Sequence, residues 1–515
     1  MLVHNIGEVL ARRALRTPHR EAVVDLTTGA RLSFSDLDQR ANRVAQTMHG
    51  LGVQPGERVG VLLANSVEFV ECFYGLAKSG SISVLLNWRL VADELEFLLT
   101  DSSSTVLIFG DDFAPVAELL HARQSTLVCN WIHVGDSTTR PAFAHSYETL
   151  LEQASALAPI VSAGDDDVLC LCYSSGTTGR PKGAMLTHAG QLAAIMSYLG
   201  STTDFRLGDR YLMVMPLFHL GGLLPMENAI FGGTTIVIMK AFDPAGVWDA
   251  IENEQITSGL VVPAMLNAML GVHDPAKHDH SSLKNLWSAA APLPVTLIEQ
   301  CEARGIDMLQ VYGLTEAGGP GTILDAADVK TKIGSSGKAY LMTEVKLVRP
   351  DGSTCEAGEP GEILIRAKHL MAGYWNNPHA TAEALVDGWL RTGDIAVSDP
   401  DGYITIRDRI KDMIISGGEN VYPAEVENVI LSHPGVREVA VVAQPSARWG
   451  ESPLAVVVAH DASLTGADIL NWCDGKLARF KMPKAVEFVA AIPRNPTGKA
   501  LKRVIREQFP GPAPQ

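Results

Sequence analysis

Residues 168–183 read VLCLCYSSGTTGRPKG, six apolar residues that run straight into a loop of three glycines, four hydroxyls and two cations. A short apolar run bounded by turn residues is the pattern of a buried strand. Backbone N–H groups that approach a polyphosphate closely need glycine; hydroxyls add hydrogen bonds or a metal contact, and cations offset charge. The composition therefore marks a phosphate cradle at a strand end, with Ser174, Ser175, Gly176, Thr177, Thr178, Gly179 and Lys182 as its candidate contacts. It is not a Walker A loop, because no GxxxxGK[ST] spacing can be drawn through it.

Working outward, residues 59–110 alternate short β-branched runs (RVGVLLA, ISVLLN, TVLIFG) with helix-patterned segments (SVEFVECFYGLAKSG, ADELEFLLT), the rhythm of parallel βαβ units. The rhythm returns from Val168 to Tyr312 with VLCLCY, YLMVM, TTIVIM, SGLVV, LWSAA and MLQVY. The fold class is α/β, with two α/β subdomains in one large N-terminal domain. After about Ile333, short strands with turn signals (TEVKLV, GEILIR, PDGYITIRD) imply a small β-barrel-like subdomain. From Met413 a compact α+β segment follows, its first helix opened by Pro423. The charged stretch Arg407 to Lys411 is the expected boundary, dividing the chain into domains 1–410 and 411–515.

A chain of 515 residues, 46% hydrophobic and 19% charged, is globular with large cores. Its net charge of −16 argues against nucleic acid as a partner, since phosphate backbones are met by dense Lys/Arg surfaces. The seven cysteines fall in no CxxC or zinc-like spacing and read as reduced thiols. Residues 1–20 carry no stretch of signal-peptide character and open as an amphipathic helix. The most apolar window, Leu212 to Met226, is interrupted by Pro216, His219 and two glycines, short of the ~18 apolar residues a span needs. A cytoplasmic protein with at most peripheral membrane contact is expected; composition leaves the oligomeric state open.

Further motifs follow in order: VYGLTEA (311–317), RTGD (391–394), RDRIKDMIISGGENVYPAEVE (407–427) and PRNPTGKALKR (493–503). With the loop at 174–183, they make the chain resemble, along essentially its whole length, the adenylate-forming superfamily of acyl-CoA synthetases, aryl-CoA ligases, luciferases and adenylation domains. Within it, the resemblance points to fatty acyl-CoA synthetases of the mycobacterial FadD type. It implies a carboxylate-CoA ligase that uses ATP to form acyl-AMP and pyrophosphate, then forms acyl-CoA and AMP. Loading of an acyl carrier protein and a luciferase-like oxygenation are the alternatives that share these motifs.

The resemblance also implies roles. Tyr312, with Gly313 after it, would lie against adenine, an aromatic face suiting a base. Glu316 and Thr177 would hold Mg²⁺, a hard cation that takes oxygen ligands. Thr315 would touch phosphate or the developing adenylate, and Asp394 with Arg409 would hold the ribose. Lys499 would bridge the carboxylate and the α-phosphate. Lys411 matches the hinge of a mobile C-terminal domain, and Gly417 and Gly418 would line a passage for the pantetheine arm. Arg89, Trp449 and Phe480 resemble residues that meet the CoA nucleotide.

MPLFHLGGLLPM (215–226) matches the region lining the carboxylate, with His219 as the gate or carboxylate neighbour. Amino-acid-activating relatives place an aspartate there to pair with an ammonium. This chain lacks it, and a buried unpaired ammonium is costly, so an acid without an α-amine is favoured. Where the family usually shows paired glycines, this chain has Ala290 and Ala291 before Pro292, whose methyls would narrow the adenine or acyl pocket. Small residues and an apolar flank suit a fatty or other hydrophobic acid.

Overall fold

The computed structural model describes residues 4–161, 163–174, 181–289, 293–416, 419–446, 449–461, 463–494 and 500–511. Two compact units result, one of residues 1–345 with 365–391, the other of 346–364 with 392–515.

In the first unit a seven-stranded sheet runs in the order His145–Ser146, Asn130–Val134, Val106–Gly110, Arg58–Leu62, Ile82–Leu85, Val168–Ser174, Lys182–Thr187. Neighbours are parallel except the last pair. The central strands are buried almost end to end, as parallel strands covered on both faces must be. Helix Val67–Ser79 is started by the Ser66 side chain, which accepts from Phe69 N–H, and stopped by Gly80 in the left-handed region.

The second sheet has nine strands, in the order Lys338–Ala339, Thr322–Leu324, Asp307–Tyr312, Asn285–Ser288, Ser258–Val261, Arg210–Met213, Thr235–Ile238, Glu21–Asp25, Arg31–Ser33. Its middle is parallel and antiparallel strands close both edges. The α/β class is as expected, with one refinement. Rhythm alone groups 168–173 with the strands up to 312, yet Val168–Ser174 pairs with Ile82–Leu85 in the first sheet. A tight antiparallel return through Lys182–Thr187 caps that edge, and the chain then crosses through helix His188–Ser201 to the second sheet. Cys170 and Cys172 are buried in this strand, as thiols packed in a core.

In open α/β sheets, ligands collect where strand order reverses, at the carboxyl ends of the strands. The first sheet reverses beside Arg58–Leu62, the second beside Arg210–Met213. The two points are tied together by buried Asn65, just past Leu62. Its Nδ2 donates to the Met215 carbonyl at 2.9 Å and its Oδ1 accepts from Leu217 N–H at 2.9 Å. The turn at 215–219 is thereby fixed between both sheets.

The second unit contains a sheet in the order Glu419–Val421, Ile414–Ser416, Gly450–Ala459, Val436–Ser446, with Ala485–Phe488 beside Gly450–Ala459. Helix Pro423–Leu431 starts at Pro423 as expected and packs through Val426 and Ile430 on one core, with Ile469 and Cys473 of helix Gly466–Cys473. Ile505 of helix Lys502–Gln508 packs on a second core. Among the described residues no helix is long and apolar enough to cross a membrane.

Candidate active site

Strand Val168–Ser174 delivers Ser174 to the edge of a cluster centred on Glu316. The Ser174 hydroxyl donates to Glu316 Oε1 at 2.9 Å, and the Tyr374 hydroxyl donates to the same oxygen at 3.0 Å. Lys182 Nζ stands 5.1 Å from the centre of the Tyr374 ring. Burial, reinforced by the neighbouring Glu316, raises the Tyr374 phenol well above its ordinary value, so it stays a donor.

Glu316 belongs to the short 3₁₀ turn Thr315–Ala317, which starts three residues after Tyr312 ends its strand. The segment 369–375 fixes that turn. Met371 N–H donates to the Glu316 carbonyl at 3.0 Å, and His369 Nδ1 donates to the Ala317 carbonyl at 2.5 Å while Nε2 meets Thr343 Oγ1 at 2.8 Å. Burial lowers the His369 pKa, which keeps the ring neutral and able to accept from Thr343. The same segment continues along strand Lys182–Thr187, where Ala372 N–H donates to Met185 O and Trp375 N–H to Gly183 O. Gly313 has a close-approach role: a Cβ there would lie 1.7 Å from the Gly319 carbonyl. Three stretches far apart in sequence thus converge on one carboxylate, and Ser174, Lys182, Tyr312, Gly313, Thr315 and Glu316 are neighbours along them.

His219 caps helix Leu220–Gly232, its Nδ1 accepting from Gly221 N–H at 3.2 Å. In the neutral ring the proton is therefore on Nε2. Gly222 lets this helix start close to the turn, since a Cβ would sit 2.4 Å from the Pro216 carbonyl. Phe218 meets Trp88 edge to face at 6.1 Å, and Arg89 lies over the Trp88 ring at 4.4 Å.

In the second unit, Asp394 and Arg409 are cross-strand partners, and Arg409 Nε lies 3.2 Å from Asp394 Oδ1. Asp394 is buried and Arg409 half-buried. Lys411 is exposed two residues on, beside Asp412, which Arg506 holds at 2.5 Å. Buried Asp408 caps the following helix by accepting from Ala424 N–H at 2.9 Å. Trp449 is exposed and its backbone N–H donates to Ser446 Oγ at 3.2 Å, while Phe480 packs on the core of this unit beside Lys481. Ser175, Gly176, Thr177, Thr178, Gly179, Ala290, Ala291, Pro292, Gly417, Gly418 and Lys499 lie outside the described residues.

Asn65, His369 and Tyr374 escaped the sequence reading. MAGYWNNP (371–378), with an aromatic after glycine between two strand patterns, was the only local signal for Tyr374.

Within the first unit, a carboxylate held by two hydroxyls at the end of a buried strand is the kind of all-oxygen site that a nucleotide-dependent enzyme offers to phosphate and a hard cation. The AMP-binding enzyme family model matches residues 10–375, and the AMP-binding enzyme C-terminal domain model matches 425–499. A long-chain-fatty-acid–CoA ligase, FadD13, of Mycobacterium tuberculosis is 43% identical over 99% of this chain and 100% of its own. Feruloyl-CoA synthase of Amycolatopsis sp is 39% identical over 98% and 99%. Among solved structures, Bacillus subtilis o-succinylbenzoate CoA synthetase in complex with ATP and magnesium superposes with a TM-score of 0.85 at 30% identity, over 96% of this chain and 98% of that one. The chain belongs to the AMP-binding enzyme family. It is an adenylate-forming acyl-CoA synthetase, an AMP-forming acid–thiol ligase.

Proposed function

We propose that this ligase activates a fatty or similarly hydrophobic carboxylic acid with MgATP and passes the acyl group to the thiol of CoA. The observation that carries the reading is the convergence of Ser174, Tyr374 and the Thr315–Ala317 turn on Glu316. In the first half-reaction a carboxylate oxygen bonds to the α-phosphorus of ATP, the bond to the bridging oxygen breaks, and pyrophosphate leaves with its electron pair. In the second, the CoA sulfur bonds to the acyl carbon, the thiol proton is lost, and AMP leaves.

The donor set around Glu316 is all oxygen, carboxylate with two hydroxyls, which fits a hard divalent cation. Glu316 with Thr177 would hold magnesium, which when bound supplies charge neutralisation for the phosphates. Ser174 and Tyr374 orient the Glu316 carboxylate. The 174–183 loop and Lys182 bind the phosphates, Tyr312 and Gly313 with 290–292 take the adenine, and Thr315 meets the α-phosphate. Asp394 accepts from the ribose hydroxyls with Arg409 beside it, and Lys499 bridges carboxylate and phosphate. His219, donating through Nε2, stands by the carboxylate. Arg89, Trp449 and Phe480 serve the CoA nucleotide, Gly417 and Gly418 the pantetheine, and Lys411 is the hinge of a C-terminal domain taken as 411–515.

An apolar flank supports the hydrophobic acid: Leu223, Leu224 and Met226 of helix Leu220–Gly232 are buried, and no aspartate stands in the 215–226 segment. The test is acid-dependent pyrophosphate exchange across fatty, aryl, terpenoid and steroid-like acids, repeated with CoA. Exchange with apolar aliphatic acids and release of their CoA thioesters is expected. Exchange that never yields a thioester with free CoA would redirect the acyl group to a carrier protein, and no exchange with any acid would sink the reading.

A further inference from the structure

Strand Lys182–Thr187 lies between two other segments of the first unit. On one side it pairs with Val168–Ser174, Tyr173 opposite Gly183 and Ser174 opposite Lys182. On the other it runs beside 372–375, where Met185 N–H donates to Gly373 O at 2.9 Å and Ala184 stands opposite Tyr374. Successive side chains of a strand leave by opposite faces, and residues directly opposite one another share a face. Ser174 and Tyr374 therefore leave by the same face, where both donate to Glu316 Oε1. Their chain neighbours Tyr173 and Trp375 meet at a different residue, Asp101.

Asp101 is the last residue of helix Ala92–Asp101, a position whose carbonyl has no intrahelical donor and must find one elsewhere. Trp375 Nε1 donates to that carbonyl at 3.1 Å, joined by Asn376 Nδ2 at 3.1 Å, and the Tyr173 hydroxyl donates to Asp101 Oδ2 at 2.7 Å. Gly183 leaves room for the Tyr173 ring, since a Cβ there would stand 3.1 Å from Cζ. Arg58, which opens strand Arg58–Leu62, fixes the helix end in turn. Its Nε donates to Ser102 O at 2.7 Å and its Nη2 to Ser103 O at 3.1 Å, and the guanidinium lies 5.4 Å from the centre of the Trp375 ring. Tyr173 and Trp375 also pack on one apolar cluster with buried Leu98 and Leu99 of that helix. The carboxylate and the carbonyl of Asp101 thus hold the same two segments whose hydroxyls hold Glu316.

We propose that Asp101 is a positioning residue for the adenylation half-reaction: by tying Tyr173 to Trp375 it sets the spacing between the strand that ends at Ser174 and the segment that carries Tyr374, and through them the placement of the Glu316 carboxylate. This rests on the role given to Glu316 above. Two hydroxyls that converge on one oxygen tolerate little change in the spacing of the segments that carry them, because hydrogen bonds weaken steeply outside a narrow range of distance and angle. A misplacement of about 1 Å, caused by a change remote from the chemistry, can cost ~10²-fold in rate. The clamp serves adenylation alone: Glu316 acts while the triphosphate is bound, and pyrophosphate has left before the thiol attacks.

The test measures two quantities with the acid that the wild-type chain exchanges fastest: kcat/KM for MgATP in pyrophosphate exchange, and the rate of acyl transfer from the matching acyl-adenylate to CoA. Asp101→Ala and Tyr173→Phe are each expected to lower the first by about tenfold and to leave the second within about twofold of wild type. The double variant loses no more than either single one, because both remove the same bond. Asp101→Asn, which keeps an acceptor for the Tyr173 hydroxyl, retains most of the exchange activity. Equal losses in the two half-reactions overturn the proposal, as do losses in Asp101→Ala and Tyr173→Phe that multiply in the double variant. If Asp101→Ala does not fold, Tyr173→Phe, which lacks a single oxygen, decides. Exchange undiminished in Glu316→Gln condemns the role of Glu316 and the proposal with it, whereas exchange lost in Glu316→Gln but kept in Asp101→Ala and Tyr173→Phe condemns only the clamp.

Discussion

Tyr374 provides the sharpest test of how the site is built, because it touches Glu316 through one atom pair and can lose that pair with little change of shape. The hydroxyl donates to Glu316 Oε1 at 3.0 Å, alongside Ser174 at 2.9 Å. A hydrogen bond to a charged group contributes about 1.5 to 3 kcal/mol net, or roughly ten- to 150-fold in a rate or binding constant. Tyr374→Phe should therefore lower kcat/KM for MgATP in the exchange reaction by about that factor. If Tyr374 acts only by orienting the carboxylate, the substitution has little left to remove once the carboxylate is gone. The double variant Tyr374→Phe, Glu316→Gln should then be nearly as active as Glu316→Gln alone, with a coupling energy of about 1 to 3 kcal/mol. Thermal unfolding of each variant guards against a loss of fold. Effects that add to within about 0.5 kcal/mol would refute the orienting role.

A pH dependence follows from His188, which is buried at the start of helix His188–Ser201 and accepts from Ile6 N–H through Nδ1 at 3.1 Å. Burial lowers its pKa to about 4, against ~6.5 when unfolded. Its contribution is whole above pH ~6.5 and is lost as pH falls toward 4, costing about 2 kcal/mol between pH 7 and pH 5. Urea unfolding at both pH values should reveal this in the wild type and lose it in His188→Asn; equal slopes in the two proteins would refute it. Asp394→Ala should raise KM for ATP about ten- to a hundredfold by removing a charged acceptor from the ribose, while KM for CoA, measured in the same assay, stays put. Lys499→Ala should slow adenylation by about 10²- to 10³-fold yet still transfer acyl from supplied acyl-adenylate, and Lys411→Pro should spare exchange while thioester formation falls; single-turnover assays of each half-reaction separate the two.

The parts of this protein that the sequence announces are those whose physics is local. A buried strand is written in its own residues, and 58–62, 82–85 and 106–110 fall where their β-branched runs put them. Pro423 opens its helix because a proline at a first turn needs no partner. What was not legible depends on partners across the chain. Asn65 looks like an ordinary polar residue after a strand until Leu217, 152 residues later, is found donating to it. Tyr374 is 58 residues from Glu316, and nothing in either neighbourhood mentions the other. The sheet that Val168–Ser174 joins is likewise a matter of pairing, since its residues would suit either sheet.

This difference also sorts the residues that the family resemblance supplied. Gly222 and Gly313 sit in motifs read as functional, yet each has a steric reason to be glycine in the fold itself, a Pro216 carbonyl in one case and a Gly319 carbonyl in the other. His219 has a structural duty too, capping its helix through Nδ1, and that duty leaves Nε2 as the protonated nitrogen. Structural and chemical roles are thus not rivals at these positions. The steric fit brings the helix and the 313–319 turn close to the two strand-order reversals, and that closeness leaves Glu316 within reach of Ser174 and Tyr374.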